Sequence, residues 1–371
     1  MNDINTILEN NILLNSSEFV MFFNELFLDA KHHLTIKDAL YGLELFDIKI
    51  SDQIEIEVQN DLDQIKQHYR NIPIEAQNEF PNKSRFFEIF LKSGLFFNKY
   101  YRGSFDRILR NMDQVNPLNG DLPIAISFDT NLYFNQFFSQ MYPVLLERYE
   151  APRFPIKFLM SEGVKKELTR YEKKYKQSDI DDLKNVVKYP SIIQDFFNQS
   201  TLNSRLWHLG HSDFLKCIDN VNYKLVDEDT SVNHNDMDNK IIGGLLKEIK
   251  QQNIKLYILS QDSDFIARSR GNKNLVAKFL DKIPYSKLKQ LYSISWEKFV
   301  RFIYTLSVTF GAIILEFKSK PIIVIQGIWR GKKLFHWENE TMKICSANNL
   351  LGKIEKDLFI LRNIKLEEGV N

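Results

Sequence analysis

Cysteine is scarce in this sequence, and long apolar runs are missing. Cys217 and Cys345 are the two cysteines among 371 residues, which excludes a disulfide scaffold and favours a reducing compartment. No Cys-x-x-Cys or Cys/His segment has the spacing of a structural zinc site. The longest uncharged apolar run, between Arg301 and Glu316, is shorter than the about 20 residues that span a membrane. We therefore expect no membrane partner.

Several functional signatures are also missing. The N-terminal MNDINTILENN has no basic residue, so it does not resemble a secretory signal, and we expect a soluble, cytoplasmic protein. No phosphate-loop pattern surrounds Gly243 and Gly244, which favours close helix–sheet packing there. Ser161 lies outside any Gly-x-Ser-x-Gly segment, so an acyl-transfer hydrolase has no support. His208 and His211 lack a third ligand at a suitable spacing, so we assign no zinc to them.

Apolar and aromatic residues are abundant. Hydrophobic residues make up 44% of the chain and include 29 phenylalanines, which is enough for a large core in two or three domains. The segment VNPLNGDLP (115–123) contains prolines and Asn-Gly, which interrupt regular structure. We predict a mainly helical N-terminal domain over 1–116, a central domain over 121–290, and a basic C-terminal extension with a helix and a β-hairpin over 291–371.

Sequence periodicity distinguishes these three parts. The segments SSEFVMFFNELFLDA and SRFFEIFLKSGLFFNKYYRGSFDRILR have a helical period, whereas IKISDQIEIEV is either a strand or the start of a helix. Beyond Pro123, the strand-like runs IAISF, IKFLMS and IKLYILS alternate with helical segments, and a helical insertion covers roughly 178–217. This alternation predicts an α/β fold with a parallel sheet between helices. In the extension, KSKP joins two predicted hairpin strands, AIILEF and PIIVIQGIW.

Charge is unevenly distributed, although the formal net charge is only +1. Residues 1–120 carry a net charge of −6, residues 121–264 carry −3, and residues 265–343 carry +10. Lysine and arginine bind phosphate groups whatever the nucleic-acid sequence, so the basic segment is a candidate phosphate-binding surface. The acidic N-terminal segment is a candidate to dock on it and cover it.

Acidic residues follow the predicted strands of the central domain. Asp129 follows IAISF, and Asp262 and Asp264 follow IKLYILS. Ligands of open parallel sheets bind beyond the carboxyl ends of the strands, so these acids are expected to converge there. Glu167 lies about one turn into the helix after IKFLMS, and Asp238 lies at a later helix start. Both are expected at the same edge.

Such a cluster is suited to a divalent cation. Neighbouring carboxylates repel and raise one another's pKa, and hard oxygen ligands select Mg²⁺ or Mn²⁺. Two such ions can activate a water molecule and stabilise the leaving oxygen in phosphodiester hydrolysis. Each acid also has a purely structural interpretation. Asp129, Asp238 and Asp262 could cap helices, and Glu167 could lie on a solvated helix face.

The order of these acids resembles that of the PIN-domain nucleases, over roughly residues 122–285. The segments that carry the resemblance are IAISFDTN, SEGVKKEL, DMDNKIIGG and LYILSQDSDF. The resemblance implies a Rossmann-like α/β/α sandwich with Mg²⁺- or Mn²⁺-dependent ribonuclease activity. About 70 residues separate Glu167 from Asp238, more than in compact members of the family, and both ends of the chain carry long additions.

The resemblance also implies roles for individual residues. Asp129 and Asp262 would ligate the metal, and Glu167 and Asp238 would complete its shell or position the attacking water. The full candidate set comprises catalytic Asp129, Glu167, Asp238 and Asp262, metal-binding Asp129, Asp238, Asp262 and Asp264, and supporting Thr130, Asn131, Ser260, Asp236 and Glu162. Spacing leaves open whether Glu162 replaces Glu167 and whether Asp236 replaces Asp238.

Basic residues after the last acidic motif are candidate contacts to nucleic acid. They are Arg268, Arg270, Lys273, Arg330, Lys332 and Lys333. Trp329, Phe335 and Trp337 are interleaved with them and either stack on unpaired bases or belong to the core. We expect an endoribonuclease acting on single-stranded RNA, with a protein inhibitor or antitoxin and a homodimer as candidate partnerships. The alternatives are a non-catalytic RNA-binding or scaffold protein and a structure-specific DNA nuclease.

Overall fold

The computed structural model of the chain describes residues 4–27, 32–59, 74–149, 156–169, 172–232, 236–284, 291–317, 322–346 and 350–368. The strands are β1 (Asn11–Leu14), β2 (His32–Asp38), β3 (Glu44–Ile50), β4 (Ile54–Val58), β5 (Ile124–Phe128), β6 (Lys157–Ser161), β7 (Asn222–Val226), β8 (Lys255–Ser260), β9 (Leu275–Phe279), β10 (Leu291–Ile294), β11 (Ala312–Phe317), β12 (Ile323–Gln326) and β13 (Met342–Ser346). The helices are α1 (Ile4–Glu9), α2 (Ser16–Leu26), α3 (Ile74–Glu79), α4 (Lys83–Lys92), α5 (Phe97–Tyr100), α6 (Arg102–Asp113), α7 (Thr130–Phe134), α8 (Phe137–Arg148), α9 (Glu162–Thr169), α10 (Gln177–Lys184), α11 (Pro190–Gln194), α12 (Leu202–Asn220), α13 (Met237–Gln252), α14 (Ser263–Arg268), α15 (Trp296–Phe310), α16 (Leu334–Glu338) and α17 (Leu350–Glu368).

The chain forms two compact units, each assembled from separate stretches of sequence. The first unit consists of Met1–Ile89, Lys173–Arg205 and Ser286–Asn371. The second consists of Phe90–Glu172 and Leu206–Tyr285. Each unit has its own sheet and its own buried core.

The first unit is built on an eight-stranded antiparallel sheet in the order β1-β13-β12-β11-β2-β3-β4-β10. Strand β4, with the sequence IEIEV, buries alternate residues because successive side chains of a strand point to opposite faces. Helix α2 contributes three fully buried phenylalanines, Phe19, Phe22 and Phe23, to the core. The ring of Phe23 lies 5.2 Å from that of Phe299 in α15, at the edge-to-face angle that aromatic pairs favour.

The N-terminal segment contains more strand than the sequence pattern predicts. The ambiguous IKISDQIEIEV forms the hairpin of β3 and β4, and β2 pairs with β3. In addition, β1 pairs with β13, β2 with β11 and β4 with β10, so strands from both ends of the chain alternate in one sheet. The N-terminal segment is therefore not a separate domain that could dock on the basic extension and come away from it. Long-range pairing of this kind leaves no local signal in the sequence.

The predicted hairpin of the C-terminal extension is present. Strands β11 and β12 pair antiparallel, with Ala312 opposite Gln326. The predicted KSKP turn itself (318–321) lies outside the described residues. Strand β12 ends at Gln326, earlier than the run PIIVIQGIW suggests. A Cβ added to the next residue, Gly327, would lie only 2.3 Å from the carbonyl oxygen of Ser307, so glycine permits this close approach to α15.

The second unit confirms the predicted α/β fold class. It has a five-stranded parallel sheet in the order β7-β6-β5-β8-β9, and helices connect the strands. The predicted runs IAISF, IKFLMS and IKLYILS form β5, β6 and β8. From β5 the chain first adds β6 and β7 on one side and then returns to add β8 and β9 on the other. The winding direction therefore reverses between β5 and β8, where open α/β sheets form a ligand-binding crevice.

Unit boundaries differ from the predicted domain boundaries. Helices α5 and α6 precede the turn-rich 115–123 but belong to the second unit. They are held there by aromatic packing, since Phe97 and Phe105 both contact the ring of Phe137 in α8. The helical insertion is also divided, because Lys173–Arg205 belongs to the first unit while the rest of α12 belongs to the second. Turn residues mark a loop, whereas the packing of distant residues decides the boundary.

Gly243 and Gly244 of α13 pack closely, as the sequence suggests, although against a loop rather than against the sheet. A Cβ added at Gly244 would lie 2.1 Å from the carbonyl oxygen of Asp227, in the segment after β7. This contact fixes the helix that carries Asp238. Across the described residues, every helix is too short or too polar to cross a membrane.

Candidate active site

Asp129 lies at the carboxyl end of β5, beside the point where the winding of the sheet reverses. Its backbone N–H donates to the carbonyl of Leu259 in β8 (3.0 Å), which continues the pairing of the two strands. Its carboxylate caps α7 by accepting the backbone N–H of Thr130 at 2.7 Å. The same carboxylate accepts the hydroxyl of Ser260 at 2.5 Å. Asp129 is 6% exposed, so it is both a structural cap and a buried acid.

Predicted supporting residues join the ends of β5 and β8. The side-chain amide of Asn131 donates to the hydroxyl oxygen of Ser260 (3.1 Å), and its carbonyl oxygen accepts the backbone N–H of Gln261 (3.1 Å). The hydroxyl oxygen of Ser260 also accepts the backbone N–H of Asp262 (2.8 Å). The two loops that carry Asp129 and Asp262 are therefore held in a fixed relation by a closed hydrogen-bond network.

Helix α9 brings Glu167, rather than Glu162, towards Asp129. The hydroxyl of Thr130 donates to a carboxylate oxygen of Glu167, and the negative charge of Glu167 contributes to the raised pKa of Asp129. Glu162 is in the first turn of α9, where its carboxylate lies 3.9 Å from the ammonium of Lys165. Positions 162 and 167 differ by about 140° around a helix axis at 3.6 residues per turn, so only one of them faces the cluster.

Asp236 and Asp238 occupy different positions at the start of α13. Asp236 is the N-cap and accepts the backbone N–H of Asn239 at 3.1 Å. Asp238 lies in the first turn. The guanidinium of Arg268 contacts both carboxylates, at 2.9 Å to Asp236 and 3.4 Å to Asp238. Arg268, a candidate for binding substrate phosphate, forms ion pairs with these two acids of the cluster.

The pKa of Asp238 is raised despite its ion pair with Arg268. Burial raises its pKa above the ordinary value, and the charges of Asp262, Asp236 and Asp264 add to this effect. The positive charge of Arg268 opposes the shift but does not cancel it. Asp238 also raises the pKa of Asp129. These mutual effects show that the acids from four different segments lie near one another at the carboxyl edge of the sheet.

Asp262 and Asp264 follow β8, as predicted, and lie on the exposed side of the cluster. The carboxylate of Asp262 caps α14, accepting the backbone N–H of Asp264 at 2.8 Å. Both residues are exposed. The cap engages one oxygen of Asp262, and a carboxylate has a second oxygen with lone pairs for another ligand.

Among the acids of the cluster, Asp129 has the largest shift in pKa. Burial raises its pKa from 3.8 to about 7. Hydrogen bonds from Ser260 and from the backbone of Thr130 oppose the shift, whereas the charges of Glu167 and Asp238 increase it. A large part of the Asp129 population is therefore protonated at neutral pH, unless a cation compensates for the burial and the neighbouring charges.

Because of Asp129, stability without divalent cations should fall as pH rises. Between its ordinary pKa of 3.8 and its folded-state pKa of about 7, the folded protein retains a proton that the unfolded chain has lost. Asp129 therefore lowers the free energy of unfolding by about 1.4 kcal/mol per pH unit in this window. The Asp129→Asn variant lacks this titration, so its stability relative to the native protein should increase from pH 4 to pH 7.

Urea denaturation of both proteins in EDTA, across this pH range, measures the effect. Asp38 also has a pKa raised to about 7 by burial, and it is present in both proteins. The difference between them therefore isolates Asp129. A difference that stays constant from pH 4 to pH 7 would contradict the assignment.

The donor chemistry of the cluster fits Mg²⁺ or Mn²⁺, which prefer oxygen ligands. Within the described residues, no three His, Cys, Asp or Glu side chains are arranged around a single metal position. Mg²⁺ does not require such a cage, because it commonly retains several waters and binds one or two carboxylates together with substrate phosphates. Burial is the main cause of the raised pKa values of Asp129 and Asp238, and the charges of neighbouring acids add to it.

The remaining predicted basic residues divide between the two units. Arg270 and Lys273 are exposed in the turn after α14, in the second unit. Arg330, Lys332 and Lys333 lie in the first unit, between β12 and α16. Trp329 and Trp337 are only 5% and 4% exposed, so they belong to the core and do not stack on bases. Phe335 is 51% exposed.

Two residues near the site were not predicted. The side-chain amide of Gln261 donates to the hydroxyl oxygen of Tyr101 (2.7 Å), and its carbonyl oxygen accepts the amide of Asn135 (2.7 Å). Burial raises the pKa of Tyr101 to about 12, so its phenol stays protonated. Gln261 lies between Ser260 and Asp262 in the segment SQDSDF. Its position in that segment could have identified it as a site residue. Tyr101 precedes the predicted boundary, and only the fold brings it here.

No family model matches the chain, and neither the curated proteins nor the solved structures include one with significant similarity to it.

Proposed function

We propose that this protein is a metal-dependent endoribonuclease that hydrolyses phosphodiester bonds in single-stranded RNA. The observation that supports it most directly is the cluster formed by Asp129, Glu167, Asp238 and Asp262. Its acids come from four separate segments and meet beside the winding reversal of a parallel sheet, where ligands of such sheets bind. Burial and the charges of neighbouring acids raise the pKa values of Asp129 and Asp238, so the charged forms of these two residues are unfavourable unless a cation or substrate compensates for them.

Each residue of the cluster has a role that follows from its contacts. Asp129, Asp238 and Asp262 would hold Mg²⁺ or Mn²⁺, with Asp264 in support. The bound ion would polarise the scissile phosphate and lower the pKa of water. Glu167, which accepts the hydroxyl of Thr130, would orient the attacking water. Ser260 and Asn131 fix the position of Asp129 by their hydrogen bonds.

The same proposal covers partners and location. We propose that the enzyme acts on RNA in the cytoplasm and that a protein inhibitor or antitoxin restrains it. The exposed Arg270 and Lys273, in the turn after α14, carry the cations that would attract the RNA backbone. A homodimer would add further backbone contacts.

Metal-dependent cleavage is the direct test. The purified chain is expected to cut a fluorescent single-stranded RNA when Mn²⁺ or Mg²⁺ is present in large molar excess, because a site with few protein ligands binds Mg²⁺ weakly. Cleavage is expected to stop when EDTA is added. A single-stranded DNA of the same sequence and a DNA flap, tested in parallel, distinguish the related structure-specific DNA nuclease. Absence of metal-dependent cleavage of all three substrates would count against the proposal.

A second candidate is a non-catalytic RNA-binding or scaffold protein. It is favoured by the ion pairs of Arg268 with Asp236 and Asp238, which compensate two of the acids without a metal. Calorimetry with Mn²⁺ separates the two candidates. Saturable Mn²⁺ binding that is lost in Asp129→Asn supports the enzyme, whereas no binding supports the scaffold.

A further inference from the structure

A basic cavity of about 270 Å³ lies in the first unit. Three parts of the chain line it: Lys174 before α10, residues 197–199 before α12, and residues 330–333 between β12 and α16. Together they contribute four cations and two amides, Lys174, Arg330, Lys332, Lys333, Asn198 and Gln199. No carboxylate belongs to the lining in the part of the chain that the structure describes. Like charges in a small concave space repel, so this arrangement is suited to an anion.

Lys332 is a buried cation at this cavity. It is only 7% exposed, and its ammonium donates to the carbonyls of Gly327 (2.6 Å) and Thr341 (3.1 Å). The ring centroids of Trp337 and Trp329 lie 3.8 Å and 4.7 Å from the same ammonium. An ammonium has three N–H donors, so it has donor capacity beyond the two carbonyls. Burial and the charge of Arg205 lower the pKa of Lys332 well below its ordinary value, and the negative charge of Glu340 opposes this shift. An anion in the cavity would oppose it further.

The backbone around the cavity is held in place without a ligand. Asn198 donates its N–H to the carbonyl of Tyr175 (3.1 Å), and Tyr175 donates its N–H to the carbonyl of Gln199 (2.9 Å). Asn198 and Gly331 both have left-handed backbone conformations, with φ of 57° and 95°. No atom lies within 4 Å of a Cβ added at Gly331, so the wall is open there. Binding would therefore require little ordering of the backbone.

We infer that this cavity binds a phosphate monoester, as carried by a nucleoside monophosphate or by the 5′ end of an RNA chain. A guanidinium such as that of Arg330 can hold two phosphate oxygens at once, and lysines supply point charges around them. The volume is below the about 300 Å³ at which pockets for drug-sized ligands begin, so the cavity suits a small anionic group. The inference is independent of the proposed nuclease activity, because the acidic cluster belongs to the other unit.

Calorimetry on the full chain in EDTA tests this inference, because no metal is then available for cleavage. Inorganic phosphate and AMP are expected to bind saturably, and adenosine is not. The Arg330→Gln/Lys333→Gln double variant should bind AMP at least about tenfold more weakly, since each lost contact is a charge-assisted hydrogen bond. The matched control is Lys49→Gln, which removes an exposed cation of the same unit outside the cavity.

A pair of otherwise identical short RNAs, one with a 5′ phosphate and one with a 5′ hydroxyl, identifies the source of the phosphate. Tighter binding of the phosphorylated RNA than of AMP supports an RNA end, and the reverse supports a free nucleotide. Both results support the phosphate site. It is overturned if neither phosphate nor AMP binds saturably, or if the double variant, folded as judged by its melting curve, binds AMP as tightly as the control.

Discussion

The Asp129→Asn variant is expected to cleave RNA at least about 1,000-fold more slowly than the native protein, a loss of about 4 kcal/mol in transition-state stabilisation. The amide has nearly the shape of the carboxylate but no negative charge to hold a divalent cation. Folding should be retained, because asparagine is as good an N-cap as aspartate and can accept the same N–H of Thr130. The measurement is single-turnover cleavage of labelled RNA in Mn²⁺.

Two neighbouring glutamates of α9 provide a matched control for this prediction. Glu167→Gln should also cleave slowly, because Glu167 faces Asp129 through Thr130. Glu162→Gln should cleave like the native protein, because its carboxylate instead lies beside Lys165. A second control is Asp219→Asn, at an exposed position of the second unit. Native-like cleavage by Asp129→Asn, or equal losses at positions 162 and 167, would remove the basis for the assignment.

The Glu79→Gln variant is expected to lower the free energy of unfolding of the first unit by about 3–5 kcal/mol. Arg205 is completely buried, and its guanidinium binds the carboxylate of Glu79 and the carbonyl of Thr309 (2.8 Å). Tyr175 donates its hydroxyl to the same carboxylate. Removing the negative charge leaves a buried guanidinium without compensation, which costs far more than losing an exposed ion pair. The expected loss is large beside the total of about 5–15 kcal/mol that is typical of a domain.

Tryptophan fluorescence during urea denaturation suits this measurement. Of the 4 tryptophans, Trp296, Trp329 and Trp337 belong to the first unit, so the signal reports mainly on that unit. The control is Glu57→Gln, whose carboxylate is 4.0 Å from the ammonium of Lys49 and partly exposed. Its effect should be at most about 1 kcal/mol.

A double substitution separates charge from packing at the same place. Replacing both partners, as in Glu79→Leu/Arg205→Met, removes the two buried charges together and should recover much of the stability lost in Glu79→Gln. An effect of Glu79→Gln no larger than that of Glu57→Gln would show that the buried pair is not important for stability.

Much of the second unit could be predicted from the sequence. Its three middle strands, β5, β6 and β8, are short apolar runs buried on both faces, and such runs are recognisable because local composition and burial coincide. The acids at the ends of those strands could also be predicted, since an Asp that follows a buried strand must lie at the carboxyl edge. The contacts of Glu167 and Glu162 could not, because spacing places both on α9 without giving the direction in which the helix faces the sheet.

The first unit was far less accessible to sequence reasoning. Strand β3 and strand β4 alternate apolar and polar residues, but that pattern does not identify their partners, β2 and β10. The environment of Lys332 could not be predicted either. The sequence suggests an exposed cation, whereas the side chain is buried between two indole rings. A charged residue can be buried only where carbonyls and aromatic rings surround it, and the fold decides whether they do. The amino-acid composition therefore does not predict its burial.

The sequence by itself determined the α/β class of the second unit, the positions of its three middle strands β5, β6 and β8, and the order of its acids, because these depend on local hydrophobicity and on residue type. Tertiary structure alone decided that both ends of the chain share one antiparallel sheet, that Arg268 pairs with Asp236 and Asp238, and that Asp129 has a pKa of about 7. The physical reason is the same in each case. Strand pairing, ion pairing and desolvation depend on distances between residues that are far apart in the chain, and only folding fixes those distances.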